Sequence, residues 1–306
     1  MNVLIVGGAG YIGTALVDSL VQRGDIDSLV IYDNLSRSNY NLFLDSRYKN
    51  HSKIKFVKGE LLDSRQLRKV LDGIDVVYHL AAKVTTPFAN TDPHFYEQVN
   101  HWGTAELVYA IEESDASKII YLSSTSVYGS ALSEVDENTL PNPRTFYGIS
   151  KLRGEEHVNR LAGDRETYVL RCGNVYGYNR SMRFDAVINK FVFEANFSRQ
   201  IQIHGDGKQH RAFVHIRNVA AALSRIIDGR LASGTYNLVD RNLGVLDIVD
   251  ELKVQIPDLE FIFINQHLQL RQLLVKPNPV LVEKLDLRTE MTFPEEIREF
   301  LEQFSF

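Results

Sequence analysis

Tyr147 and Lys151 lie four residues apart in a segment that predicts a helix ending near Leu161. This spacing places the phenol and the ammonium group on one face of the helix. A tyrosine with its ordinary pKa of about 10 is a poor base at neutral pH, but a neighbouring cation favours the phenolate. The pair is therefore a candidate for acid/base chemistry, although a surface helix pair would have the same spacing.

A run of hydroxyl side chains precedes this helix and ends a predicted strand over residues 118–122. The run is Ser123-Ser124-Thr125-Ser126, and Val127-Tyr128-Gly129 follows it. Ligands of doubly wound sheets bind at the carboxyl ends of the strands, although serines are also common turn residues. We expect these hydroxyls to lie near the Tyr147/Lys151 pair.

The first thirteen residues predict a strand, a glycine turn and a helix start. The apolar run 3–6 is followed by Gly7, Gly10 and Gly13. Such a turn lets the backbone approach a pyrophosphate, whose charge is held by amides at the helix N-terminus. The spacing is one residue wider at the front than in the commonest dinucleotide fingerprint, and a simple tight turn is the alternative.

A second predicted strand, over residues 28–32, leads to Asp33. This acid follows Gly13 at the distance expected for a carboxylate that accepts hydrogen bonds from an adenosine ribose. Asp33 therefore favours NAD over NADP, while Arg37 is close enough to face a 2′-phosphate.

The elements that must position these residues alternate between strand and helix. Further strands are predicted over residues 53–57, 75–82 and 118–122, with helices opening at 59–63 and running over 93–114. A later helix, over 216–227, precedes a strand over 234–239 that is expected to rejoin the same sheet. This alternation predicts an α/β fold with a doubly wound parallel (Rossmann) sheet.

Composition narrows the class of protein. The chain has 306 residues, one cysteine and a net charge of -5. A single cysteine excludes an internal disulfide, and the first strand begins without a signal-like leader, so we expect a cytoplasmic location. No apolar run is long enough to span a membrane, and no basic block suggests nucleic acid. The histidines lack the close spacing of zinc ligands, so no metal is predicted.

Taken together, the motifs resemble those of the extended short-chain dehydrogenase/reductases, and among them the nucleotide-sugar epimerases and dehydratases. The similarity covers roughly residues 1–240 and rests on five motifs: Gly7-x-x-Gly10-x-x-Gly13, Asp33, residues 123–129, Tyr147-x-x-x-Lys151 and Arg171-x-x-Asn174-Val175-Tyr176-Gly177.

The resemblance implies a division of the chain and its partners. Residues 1–174 would form the dinucleotide-binding domain, with 212–240 returning to it, and residues 175–211 and 241–306 a smaller α/β substrate-binding lobe. NAD would be the cofactor and a nucleotide-diphosphate sugar the substrate. The helices around 96–111 and after Lys151 would form a homodimer contact.

The resemblance also implies roles for individual residues. Tyr147 would take the proton of a sugar hydroxyl, Ser124 would hydrogen-bond the same oxygen, and Lys151 would lower the pKa of Tyr147. The implied cofactor-binding residues are Gly7, Gly10, Tyr11, Ile12, Gly13, Asp33, Asn34, Ser36, Leu61, Leu80, Ala81, Ala82, Lys83, Asn100, Ser123, Tyr147 and Lys151. The implied substrate-binding residues are Ser124, Thr125, Asn174, Arg211 and Arg271.

The two residues after Ser124 distinguish between activities of the family. In the nucleotide-sugar 4,6-dehydratases these two positions resemble Asp-Glu, whereas this chain has Thr125 and Ser126 there. A hydroxyl side chain is too weak an acid or base to transfer the protons that the elimination of water requires at neutral pH. The resemblance therefore implies epimerisation at C4 through a 4-keto sugar. The alternatives are a 4-ketoreductase and, from another class, a non-catalytic NAD-binding regulator.

Overall fold

The computed structural model describes residues 1–44, 48, 51–84, 92–131, 133–265, 272–288 and 291–304. The strands it contains are β1 (Asn2–Val6), β2 (Ser28–Asp33), β3 (Ile54–Lys58), β4 (Val76–His79), β5 (Lys118–Ser124), β6 (Glu166–Cys172), β7 (Asn174–Tyr176), β8 (Gln200–His204), β9 (His210–His215), β10 (Gly234–Leu238), β11 (Arg241–Gly244) and β12 (Glu260–Ile264).

The α-helices that the described residues form are α1 (Tyr11–Leu20), α2 (Ser64–Val70), α3 (Pro93–Tyr96), α4 (Gly103–Glu112), α5 (Phe146–Asn159), α6 (Val187–Ser198), α7 (Ile216–Arg225), α8 (Val245–Gln255), α9 (Pro279–Lys284) and α10 (Phe293–Leu301).

The central sheet has seven strands in the order β10-β6-β5-β4-β1-β2-β3, and every pairing in it is parallel. Its inner strands are apolar runs because helices cover both faces of the sheet. Helices α1 and α7 pack on one face and α2, α4 and α5 on the other. The predicted doubly wound parallel sheet is confirmed.

Strand order reverses direction beside β1, which pairs with β2 on one side and β4 on the other. Chain connections leave this point in opposite directions and open a crevice at the carboxyl ends of the strands. The glycine turn follows β1 directly, so the fold places it in this crevice.

The helix predicted over residues 93–114 is divided in the structure. Between α3 and α4, residues Glu97–Trp102 form a π-helical turn. The wider turn changes which side chains face the sheet. Asn100, in its middle, is buried and points to the loop that follows β4. The apolar spacing of the segment gave no sign of this turn.

A second group of elements packs beside the carboxyl ends of the central sheet. It contains a three-stranded sheet, β11-β9-β7, and a two-stranded sheet, β12-β8, with α6, α8 and α10 around an apolar core. Within residues 212–240, α7 and β10 belong to the layers of the central sheet, while β9 lies in the three-stranded sheet. The proposed domain boundaries stay a prediction. No helix of the described ranges is both long and apolar enough to cross a bilayer.

Candidate active site

The glycine turn is packed tightly on one side and open on the other. A Cβ on Gly7, whose φ is +85°, would lie 2.5 Å from the backbone nitrogen of Ala81, and one on Gly13 would lie 2.5 Å from the carbonyl oxygen of Gly7. A Cβ on Gly10 would meet only that same carbonyl, at 3.3 Å. Gly10 also begins α1 without any side-chain cap. These features fit a pyrophosphate, which needs close backbone approach and uncapped amides.

The carboxylate of Asp33 is fixed beside this turn at the end of β2. Its Oδ2 accepts a hydrogen bond from the amide of Ala9 at 3.0 Å, and its Oδ1 accepts one from the amide of Leu35 at 2.8 Å. Burial raises the pKa of Asp33. A carboxylate offers about four acceptor positions, so the fixed group can still accept hydrogen bonds from a ribose. The nearby Arg37 is paired with Asp185 at 3.5 Å.

Other predicted cofactor ligands lie along the same edge of the sheet. Asn34 bridges two neighbours: its Nδ2 donates to Glu60 and its Oδ1 accepts from the amide of exposed Ser36. Leu61 is buried in the core below. On α1, the side chain of Ile12 packs into the core.

The loop after β4 approaches the glycine turn from the other side. The amides of Leu80 and Ala81 both donate to the carbonyl of Val6, at 2.8 and 2.9 Å. Ala82 follows them and is half-buried. The backbone of this loop therefore lies directly against Gly7, while the Ala81 side chain packs against the core.

Asn100 ties the next residue of this loop to helix α5. Its Oδ1 accepts from the amide of Lys83 at 2.8 Å, and its Nδ2 donates to the carbonyl of Lys83 at 3.0 Å and to Ser150 Oγ at 3.1 Å. The Lys83 ammonium group lies 4.6 Å above the ring of Phe95. Asn100 thus joins the cofactor crevice to the residue that precedes Lys151.

Ser124 and Tyr147 meet above the carboxyl end of β5. The Ser124 hydroxyl accepts from the amide of Ser126 at 3.2 Å. Burial raises the pKa of Tyr147, while the neighbouring Ser124 hydroxyl and the positive charge of Arg183 oppose the rise. A hydroxyl and a phenol held together in this way can both contact one substrate oxygen. Thr125 is buried beside them.

Lys151 is almost fully buried, one helical turn after Tyr147. Its ammonium group lies 4.1 Å above the centre of the Tyr121 ring. Burial lowers the pKa of Lys151 to about 7, and the charge of Glu155 opposes the decrease. Lys151 therefore changes charge near neutral pH, as an acid/base group must.

Beneath these residues lies a buried ionic network that the sequence analysis missed. Ser123, predicted to contact the cofactor, donates its hydroxyl hydrogen bond to Glu155 at 2.5 Å. Arg171 binds both oxygens of Glu155 and also donates to the Tyr128 hydroxyl. The sequence feature that could have indicated this network was the four-residue spacing between Lys151 and Glu155.

On the substrate side, strand pairing brings Asn174 and Arg211 to neighbouring strands. β7 pairs with β9, and the Asn174 amide group donates to the carbonyl of Ala212, the residue after Arg211, at 3.0 Å. Asn174 is exposed and Arg211 half-buried. Arg271, the remaining predicted contact, lies outside the described residues.

Arg183 was not predicted, yet its charge acts on the site. It lies in the loop between β7 and α6, and its charge opposes the rise that burial causes in the pKa of Tyr147, Tyr11 and Tyr96. Loop length and packing bring it there, and nothing in the sequence around Arg183 indicates that position.

The fold and this constellation define a dinucleotide-binding enzyme of the short-chain dehydrogenase/reductase class. The profile of the NAD dependent epimerase/dehydratase family matches residues 3–238, and the chain belongs to this family. The predictions of the family, of an enzyme and of NAD as the cofactor are confirmed.

Relatives of two activities match the chain. A UDP-glucose 4-epimerase of Mycolicibacterium smegmatis is 32% identical over 235 residues, which cover 74% of this chain and 72% of that protein. A dTDP-D-glucose 4,6-dehydratase of Bos taurus is 30% identical over 259 residues, covering 82% and 72%.

Solved structures share the fold over nearly the whole chain. A mutant form of the UDP-glucuronic acid 4-epimerase of Bacillus cereus superposes with a TM-score of 0.88 at 23% identity, covering 99% of this chain and 98% of that one. The UDP-N-acetylglucosamine 4-epimerase of Methanobrevibacter ruminantium superposes with a TM-score of 0.86 at 25% identity, covering 98% and 97%.

Proposed function

We propose that the protein inverts the configuration at C4 of a nucleotide-diphosphate sugar through a 4-keto intermediate. The observation that carries this proposal is the position of the Ser124 hydroxyl beside the Tyr147 phenol, next to hydroxyl side chains at positions 125 and 126. The site holds a phenol for redox chemistry at a carbinol, but no carboxylate follows Ser124 to assist elimination of water.

Each group has a definite task in this proposal. Tyr147 accepts the proton of the C4 hydroxyl, and Ser124 donates a hydrogen bond to the same oxygen as charge develops on it. The pKa of Lys151 is about 7, so both its charged and its neutral form are present near neutral pH. The charged form favours the Tyr147 phenolate, and the neutral form can accept the proton that Tyr147 takes up. Bound NAD would supply the acceptor, and in reduced form the donor, of the C4 hydride.

Contacts to parts of the substrate remote from C4 must hold the nucleotide sugar while its sugar ring rotates. Asn174 and Arg211 are the proposed anchors of the diphosphate, and Arg271 is a third candidate. Arginine suits this task because its planar fork binds two phosphate oxygens at once. Such anchoring allows the 4-keto sugar to present its other face without leaving the site.

The test is incubation with UDP- and dTDP-linked hexoses without added NADH, followed by NMR of the products. C4-inverted sugar in equilibrium with substrate supports the proposal. A 4-keto-6-deoxy product overturns it, because some unidentified acid would then replace the missing carboxylates.

Two alternatives predict other outcomes. A 4-ketoreductase would invert none of these sugars but would reduce a supplied 4-keto sugar with NAD(P)H. A non-catalytic regulator would do neither. The Tyr147/Lys151 pair disfavours the regulator, since a cofactor sensor has no use for a phenol and an amine with displaced pKa values.

We also propose that the protein forms a homodimer in the cytoplasm. Each chain would consist of the dinucleotide-binding domain and the substrate-binding lobe with the bounds given in the sequence analysis. Exposed Trp102 and Tyr109, on the outer side of the 97–112 segment, support a contact surface there. Light scattering of the purified protein tests the dimer, and Trp102→Glu is expected to yield a monomer.

A further inference from the structure

The ammonium group of Lys151 faces an aromatic ring rather than an acid. It lies 4.1 Å above the centre of the Tyr121 ring, and only 2% of the residue is exposed. In the part of the chain that the structure describes, its Nζ makes no hydrogen bond or ion pair. Glu155, one helical turn further along α5, is held by Arg171 and Ser123 instead. The ring of Tyr121 is therefore the group that receives this charge.

The Tyr121 ring is fixed against α5 by close contacts. It is fully buried, and its hydroxyl donates to the carbonyl of Lys151 at 3.4 Å. A Cβ on Gly154 would overlap the hydroxyl oxygen of Tyr121 and lie 3.0 Å from Cζ of the same ring. Residues three apart on a helix are neighbours on its surface, so the missing side chain at Gly154 lets the ring pack beside Lys151.

A second ring, that of His79, packs against Tyr121 from the next strand. The two residues are paired in the register of β4 and β5, and their ring centroids are 5.2 Å apart. The Thr104 hydroxyl donates to the carbonyl of Asn100 at 2.7 Å, so its oxygen accepts from His79 Nε2 at 2.8 Å. Burial, together with the charge of Lys151, lowers the pKa of His79 to about 3. The imidazole is therefore neutral and does not repel the ammonium group.

We infer that Tyr121 is a positioning residue for Lys151, because the face of its ring holds the ammonium group against β5. The inference rests on the function proposed above, in which Lys151 acts through Tyr147. The face of an aromatic ring attracts a cation, and the attraction is stronger where water is excluded. The ring therefore opposes the loss of charge that burial causes in Lys151.

Other ionisable groups also face the Lys151 side chain, and they differ in their effect. Glu155, on the same helix, and the thiol of Cys172, at the end of β6, favour the charged form. Tyr147 lies one turn earlier on α5, and His79 on β4 is neutral. Substitutions at position 121 leave all of these groups in place, so a changed titration of Lys151 reports the loss of the ring.

The test is an NMR titration of the NAD-loaded protein, isotopically labelled at the lysine Cε atoms, with Lys151→Met to assign the signal. Tyr121→Met removes the aromatic face but fills most of its volume. We expect this variant to lower the titration midpoint of Lys151 by about 0.5 to 1.5 pH units. Tyr121→Phe keeps the ring and should stay within about 0.3 pH units of wild type.

Tyr168→Met is the matched control. It removes a ring that is equally buried, with 1% exposed, but that belongs to the core on the other face of the sheet. The midpoint of Lys151 should not move in this variant. An unchanged or raised midpoint in Tyr121→Met, or an equal fall in Tyr121→Phe or Tyr168→Met, each overturns the inference.

Gly154→Ala tests the same contact if Tyr121→Met fails to fold. The added methyl group would displace the Tyr121 ring, so the midpoint of Lys151 should fall. Combining it with Tyr121→Phe removes the oxygen that overlaps and should restore most of the midpoint. No fall in Gly154→Ala, or no restoration in the double variant, overturns the inference.

Activity measurements separate this inference from the proposed function. If the protein inverts sugars, Tyr121→Met should lower kcat at pH 7 by about 2- to 10-fold with little change in KM. A raised KM with unchanged kcat overturns the inference alone, as does inversion by a protein whose Lys151 midpoint is insensitive to Tyr121→Met. A midpoint that depends on the ring, without inversion of any sugar, overturns the proposed function alone.

Discussion

Glu155 and Arg171 form an ion pair of 2.8 Å, with only 3% and 8% of their side chains exposed. The pair joins α5 to β6, and Ser123 at the end of β5 donates to the same carboxylate. Ser124 and Lys151 are each close in sequence to one of these residues. The pair therefore fixes the helix and strands that carry the proposed catalytic groups.

Breaking this pair from one side leaves an uncompensated buried charge. We expect Glu155→Met or Arg171→Met to lower the free energy of unfolding by about 3 to 5 kcal/mol, and the double variant to recover at least half of the summed loss. Urea unfolding of the three variants measures this. Strictly additive losses would contradict the coupling.

Tyr147→Phe removes the phenolic oxygen while keeping the ring. We expect the turnover number to fall by about 10²- to 10⁴-fold, with NAD affinity and stability nearly unchanged. Tyr96→Phe is the matched control, since its ring packs 6.2 Å from that of Tyr147 and has no proposed catalytic role. If Tyr147→Phe keeps more than about a tenth of the activity, the general-base role is wrong.

Gly13→Ala tests the close approach between α1 and the turn. The new Cβ would lie 2.5 Å from the Gly7 carbonyl and 2.6 Å from Gly8 Cα, both backbone atoms. We expect a loss of about 1 to 3 kcal/mol in unfolding free energy, together with weaker NAD binding. Gly24→Ala, whose Cβ would meet no atom within 4 Å, should stay within about 0.5 kcal/mol of wild type. Similar effects of both substitutions would refute the packing argument.

Lys151 makes stability depend on pH in a defined direction. Its folded-state pKa of about 7 lies below the ordinary value of 10.5, so between these values the unfolded chain binds more protons. Stability should therefore rise with pH, by about 1 to 2 kcal/mol from pH 7 to 8.5 in the absence of cofactor. Lys151→Met should flatten this rise in urea unfolding. A parallel rise in the variant would assign the effect to another group.

Asp33 is expected to set the preference for NAD over NADP. Its fixed carboxylate would repel a 2′-phosphate, and NADP should bind less tightly by about 1 to 3 kcal/mol. Titration of the cofactor-free protein with both dinucleotides measures the difference, and Asp33→Asn should narrow it. Equal or tighter NADP binding would mean that Arg37 outweighs Asp33.

Patterns of local sequence predicted the parts of the site that depend on neighbouring residues. The turn at Gly7, the strand before Asp33 and the shared face of Tyr147 and Lys151 follow from spacing within one or two elements. Each of these features requires only that a strand or helix form where its apolar pattern indicates.

Contacts between distant segments could not be predicted in this way. Arg183 lies in a loop whose path depends on Asn189, which is hydrogen-bonded both to the Arg183 carbonyl and to the amide of Gly177. The π-helical turn around Asn100 depends on hydrogen bonds to Lys83 and Ser150, which are remote in sequence. The hydrogen bond from the Ser123 hydroxyl to Glu155 likewise joins residues that are remote in sequence, and the cofactor contact of Ser123 stays a prediction.

The segment after β7 is fastened to the helix that follows the glycine turn. Besides the bond from Tyr11 to Gly177, the Thr14 hydroxyl donates to Ser181 Oγ at 3.0 Å. We expect these contacts to slow the exchange of a cofactor that is held at this turn. A long-lived cofactor complex suits an epimerase, which regenerates its NAD in every cycle. It would slow a reductase, which needs a new reduced cofactor for each product. We therefore expect the purified protein to retain its nicotinamide through gel filtration.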